Sequence, residues 1–101
     1  MTINEYQQEA LRTANGKDDH HFGLLTNGVM GLCGESGECM DIVKKHLFQG
    51  HPLDGEHLIE ELGDVAWYLA ITAASVGCTL NDVLQKNVDK LRKRYPDGFE
   101  A

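Results

Sequence analysis

The stretch Val65-Ala66-Trp67-Tyr68-Leu69-Ala70-Ile71 is an unbroken apolar run. Wound as a helix, it presents apolar groups on every face, and such a helix must be covered on every face. A chain of 101 residues has few other helices to do so. A domain of this size is also marginally stable alone, because small folds bury a smaller share of their surface. A partner subunit is the simplest source of cover, so Trp67, Leu69 and Ile71 are expected to be shared between the core and a subunit interface. The run does not read as a membrane span. The longest uncharged stretch, Val65 to Asn81, is shorter than the roughly 20 residues a bilayer needs, and it contains Thr72, Ser75, Thr79 and Asn81.

The rest of the chain reads as helix as well. Thr2 with Glu5 has the form of a capping box, followed by Ile3, Tyr6 and Ala10 at helical spacing. Asn15 to Asp19 is a breaker cluster and predicts a loop. Phe22, Leu25, Val29, Leu32, Ile42, Val43 and Leu47 predict a second helix over Phe22–Leu47. Gly28, Gly31, Gly34 and Gly37 dilute it unless close packing or a ligand explains them. Asp54 is the expected N-cap of a third helix, ending at Gly77. Thr79 with Asp82 caps a fourth, stopped near Arg94 by Pro96. The expected fold is all-α, a four-helix bundle type formed by a single domain over 1–101, and oligomeric.

Nine Lys and Arg against sixteen Asp and Glu leave the chain at −7. That argues against nucleic-acid polymers, which select a basic footprint, but not against small phosphorylated ligands, since metal ions reverse the local sign. Cys33, Cys39 and Cys78 form no Cys-x-x-Cys pair and are expected to be small, buried, reduced thiols. Met1 to Glu5 has neither a basic region nor an apolar segment, so the expectation is a cytoplasmic protein without a membrane partner.

Two acidic pairs carry the chemistry. Glu35-Ser36-Gly37-Glu38 lies on the second helix and Glu61-Leu62-Gly63-Asp64 on the third. Residues three apart project from one side of a helix. If the helices pack antiparallel, four carboxylates face one another, repel, and are resolved by a hard divalent cation. Either pair alone is ordinary on a solvated face. Here, however, Gly34 and Gly37 bracket the first, and the apolar run follows the second. A carboxylate entering a core needs a partner or a metal. Di-iron bundles use Glu-x-x-His, and no histidine here follows a glutamate at that spacing.

Three segments then resemble the MazG-like nucleoside triphosphate pyrophosphohydrolases: Gly31-Leu32-Cys33-Gly34-Glu35-Ser36-Gly37-Glu38, Glu60-Glu61-Leu62-Gly63-Asp64-Val65-Ala66-Trp67-Tyr68-Leu69, and Lys90-Leu91-Arg92-Lys93-Arg94-Tyr95-Pro96-Asp97-Gly98-Phe99. The resemblance covers about residues 22–99. It implies an all-α fold assembled as a homodimer or a dimer of dimers, and Mg²⁺ or Mn²⁺ held by Glu35, Glu38, Glu61 and Asp64. It implies cleavage of the α–β bond of a nucleoside triphosphate to monophosphate and pyrophosphate. One of those acids, or the metal, would prepare the water that attacks the α-phosphorus. The role implied is house-cleaning or control of nucleotide pools.

Further residues follow from helix geometry and the resemblance together. Asn27 and Lys45 each lie roughly 20° in azimuth from Glu38. Asn27 matches an asparagine that often precedes the first acidic motif; it reads equally as a polar residue bonded in a helix groove. Lys45 could meet phosphate but reads better as solvated surface. Tyr68 follows Asp64 by one turn, where related enzymes flank the base with an aromatic; a core tyrosine reads as well. Asn87, Lys90 and Arg94 share a face of the fourth helix, and Lys90 and Arg94 are expected to touch phosphate in preference to merely complementing the helix dipole. His20, His21, His46, His51 and His57 show no ligand spacing and are expected on surfaces or loops, with His21 and Phe22 near a base at most. Phosphoribosyl-ATP pyrophosphatase carries a related acidic pattern, but the tail from Arg94 to Phe99 fits it poorly. A catalytically silent helical module is the remaining alternative.

Overall fold

A computed structural model of the chain describes residues 1–15 and 20–99, with 20–22 described by backbone alone. The expected loop therefore lies, after Asn15, outside the described residues, and so do the side chains of His20, His21 and Phe22. The described residues form four α-helices and one π-helical turn, and contain no strand. They are α1 (Ile3–Leu11), α2 (Thr26–Phe48), α3 (Gly55–Ser75) and α4 (Leu80–Arg94). None is long and apolar enough to cross a membrane.

The caps read from sequence are formed. Thr2 N donates to Glu5 Oε1 at 2.8 Å and Glu5 N to Thr2 Oγ1 at 3.1 Å, closing the capping box. Asp54 Oδ1 accepts from His57 N at 3.1 Å, and Thr79 Oγ1 from Asp82 N at 3.0 Å. Helix α3 ends at Ser75, just before the expected stop. Gly77 takes φ +73°, which turns the chain so that Cys78 N reaches back to Ala73 O at 2.9 Å. The start of α2 differs from expectation. A π-helical turn over His20–Leu25 leads into it, and Leu25 is already in helical conformation. Because helical backbone continues across the boundary, no side-chain cap is needed there.

Helix α3 is the axis of the fold. Helices α1, α2 and α4 all pack against it, with the antiparallel α2–α3 seam the most extensive. Ala70 and Ile71 are fully buried and Ala73 nearly so. One subunit therefore covers more of the apolar run than expected, and Ile71 cannot take part in an interface. Trp67 is half-buried and donates from Nε1 to Thr13 Oγ1 at 3.0 Å. Leu69 stays 37% exposed. Gln7, buried on α1, ties three elements together. Its Nε2 donates to Ala70 O at 3.0 Å and Cys78 O at 3.2 Å, and its Oε1 accepts from Leu80 N at 3.0 Å.

The helices do not close into a sealed bundle. The radius of gyration is 16.2 Å, whereas a compact chain of this length has about 13 Å. Leu80 is the one buried residue of α4. The cysteines are free as expected, but Cys33 is exposed and Cys39 and Cys78 are half-buried. The open packing leaves too little interior to enclose them.

Candidate metal centre

The α2–α3 seam brings the acids together because two glycines let the helices approach. A Cβ at Gly28 would overlap the Thr72 side chain, and one at Gly31 would overlap the Tyr68 ring. One turn beyond Gly31 stands Glu35, opposite Glu61 and Asp64 of α3. One oxygen of each of these three carboxylates lies within 4.8 Å of the others. A set made only of carboxylate oxygens suits a hard divalent cation.

The electrostatics show what the cluster lacks. The Glu35 carboxyl is pushed up to about 7, first by a hydrogen bond shared with Glu61, then by lost solvation and by the charges of Glu61, Asp64 and Glu38. Two carboxylates can share a hydrogen bond only around a proton, so the cluster holds a proton where a cation could serve. Glu61 is its most constrained member. Its Oε1 accepts from His57 Nε2 at 3.2 Å, while its buried Oε2 has no hydrogen-bond partner when both glutamates are ionised. A buried acceptor of this kind fits a metal ligand.

Glu38 is exposed and stands outside the three-residue cluster, although Glu35 feels its charge. It lines a cavity of about 430 Å³ with Ile42, Lys45, Pro52, Leu53 and His57. Lys45 Nζ lies 3.1 Å from Asp41 Oδ2, consistent with its reading as surface. Asp64 faces α1: its charge, after burial, pushes the Tyr6 hydroxyl upward. Sequence reasoning gave Tyr6 no place near the acids.

The remaining candidates have different surroundings. Asn27 is exposed in the first turn of α2, and eleven residues of helix put it about 16 Å along the axis from Glu38. Tyr68 packs against Gly31 and the buried cluster of Ala14, Leu24 and Ile71, with its ring edge-on to Trp67 at 4.9 Å. Asn87, Lys90 and Arg94 are exposed on α4, and among the described residues no ion pair joins either cation to the acids. His57 is exposed as expected, but it is more than a surface residue. It stands on α3 and bonds a carboxylate of the cluster. The signal was its position one turn before Glu61. His46, in the last turn of α2, and His51, in the α2–α3 connection, are exposed as expected, and His46 Nδ1 donates to His51 O at 2.9 Å.

The MazG nucleotide pyrophosphohydrolase domain matches residues 26–99, which contain all four acids. The chain belongs to that family. Gene 37 protein of Mycobacterium phage L5 is 41% identical over 108 aligned positions, covering 97% of this chain and 92% of the relative. No solved structure matches.

Proposed function

We propose that this MazG-family chain hydrolyses nucleoside triphosphates to the monophosphate and pyrophosphate, with Mg²⁺ or Mn²⁺ as cofactor. The observation that carries the reading is the convergence of one carboxylate oxygen each from Glu35, Glu61 and Asp64 within 4.8 Å, beside the buried, unpartnered Oε2 of Glu61. These three residues, with Glu38, would hold the metal. A divalent cation held there would supply polarisation of water and would offset charge on the leaving pyrophosphate. One of these acids, or the metal when bound, would prepare the water that attacks the α-phosphorus. Lys90 and Arg94, free of intramolecular ion pairs among the described residues, contact the β- and γ-phosphates, and Asn27 and Asn87 supply polar contacts to the substrate. Tyr68 holds the seam closed beside it.

Assembly belongs to the same reading. Leu62 and Leu69 are 53% and 37% exposed and fall within about 20° of one another on α3, with Val76, 66% exposed, just past its end. Leu84, Val88 and Leu91 form a second exposed row on α4. A homodimer, alone or as a dimer of dimers, covers both rows. Free cysteines suit a reducing cytoplasmic compartment.

A panel of ribo- and deoxyribonucleotides with Mg²⁺ in ¹⁸O water tests the chemistry. Pyrophosphate should be released and label should enter the monophosphate. Release of orthophosphate from the triphosphate overturns the reading. Glu61→Gln should lose at least tenfold in activity and the Mg²⁺-dependent rise in Tm, which for the wild type corresponds to about 2.7 kcal/mol at a hundredfold excess over Kd.

A further inference from the structure

The second hydrogen-bonding shell of the carboxylate cluster contains one side chain that the family match does not assign. Asp54 caps α3 by accepting from the backbone N–H of His57, which fixes the turn from which the imidazole projects. One turn on, His57 Nε2 reaches Glu61 Oε1 at 3.2 Å. The imidazole is half exposed, whereas the Glu61 side chain is only 14% exposed. The contact therefore runs from the wall of the 430 Å³ cavity inward to the most enclosed acid of the cluster.

A glutamate on a helix can rotate about three side-chain bonds, and as a ligand it loses that freedom on binding. A donor fixed on one oxygen removes part of the cost beforehand and sets the carboxylate plane. Bonds of this kind to ligating carboxylates commonly change metal affinity ten- to a hundredfold. Here the bonded oxygen is Oε1, and the oxygen left with unfilled lone pairs is the buried Oε2.

We propose that His57 is a positioning residue for the metal centre, holding Glu61 through its Nε2–H so that Oε2 remains available to a divalent cation. The proposal rests on the reading of Glu61 as a metal ligand. It requires only a hydrogen on Nε2, which the Nε2–H neutral tautomer and the charged ring both supply.

Calorimetric titration with Mn²⁺, without nucleotide, tests it on wild type, Glu61→Gln, His57→Ala and His57→Gln. Glu61→Gln should abolish binding; if it binds as wild type does, the ligand assignment falls and the proposal with it. Given that loss, His57→Ala should bind about ten- to a hundredfold more weakly. Its Tm in EDTA should stay at the wild-type value, because the imidazole is solvated and supports no core. His57→Gln, whose side-chain amide can reach the same oxygen, should recover most of the affinity. Wild-type affinity in His57→Ala, or a His57→Gln protein as weak as His57→Ala, overturns the proposal while leaving the metal centre standing.

Discussion

Gly28, Gly31, Gly34 and Gly37 recur every three residues along α2, yet the two halves of the series meet opposite surroundings. At Gly28 and Gly31 the backbone of α2 lies against Thr72 and Tyr68 of α3, and a Cβ has no room. At Gly34 and Gly37 a Cβ would meet nothing within 4 Å, and the same holds for Gly63 across the seam. The first two glycines serve packing within the chain. The others neighbour Glu35, Glu38 and Asp64 in sequence, but each three-residue step turns the helix by about 300°, so Gly37 lies roughly opposite Gly28 in azimuth. One end of the glycine series is packed against α3 and the other has no neighbour among the described residues.

The largest expected effect comes from breaking the closed end. Gly31→Ala should destabilise the fold by up to about 3 kcal/mol, the upper range for overpacking, even though alanine itself favours helix by about 1 kcal/mol. Urea unfolding would measure it. Adding Tyr68→Ala removes the obstructing ring, and the cost of alanine at position 31 should then vanish or change sign. Equal stability of Gly31→Ala and wild type would show that the helices are not in contact there.

Protons offer a gentler probe of the open end. Glu35 titrates near 7 in the fold, against 4.5 for an unperturbed glutamate. The folded state therefore binds this proton more tightly than the unfolded state does. The stability it contributes is fully present below about 4.5 and is lost as pH rises through about 7. Metal-free protein should accordingly lose stability across that window. Glu35→Gln should flatten the slope, and Mg²⁺ should oppose it by replacing the proton. A metal-free protein whose urea midpoint is flat from pH 4.5 to 7 would contradict the clustering.

The two ends also differ in how legible they were. Acid spacing marked Glu35, Glu61 and Asp64, because helical periodicity places residues three apart on one side whatever the tertiary fold. Cap residues set the helix boundaries for the same local reason. What escaped depended on approach between distant elements. Nothing in the sequence says that Gln7 reaches Ala70, Cys78 and Leu80, or that Tyr6 of α1 feels Asp64. The four glycines look alike in one dimension and separate only when α3 is in place. The apolar run misled in part, because helices around α3 cover Ile71 without a second subunit, while the truly open apolar rows carry ordinary amphipathic spacing.

The smallest effect sharpens the contrast most. Gly34→Ala and Gly37→Ala place a methyl in empty space within a helix, so each should stabilise the metal-free chain by up to about 1 kcal/mol. That sign is opposite to Gly31→Ala, although the residue, the helix and the substitution are the same. A gain in urea midpoint combined with a raised KM would mean that glycine is kept for a ligand's approach, at a standing cost to the fold. A gain with unchanged kinetics would mean that the space is not used in catalysis. Destabilisation at either position would point to a second copy of the chain covering this face, since among the described residues of one copy nothing is near enough to clash.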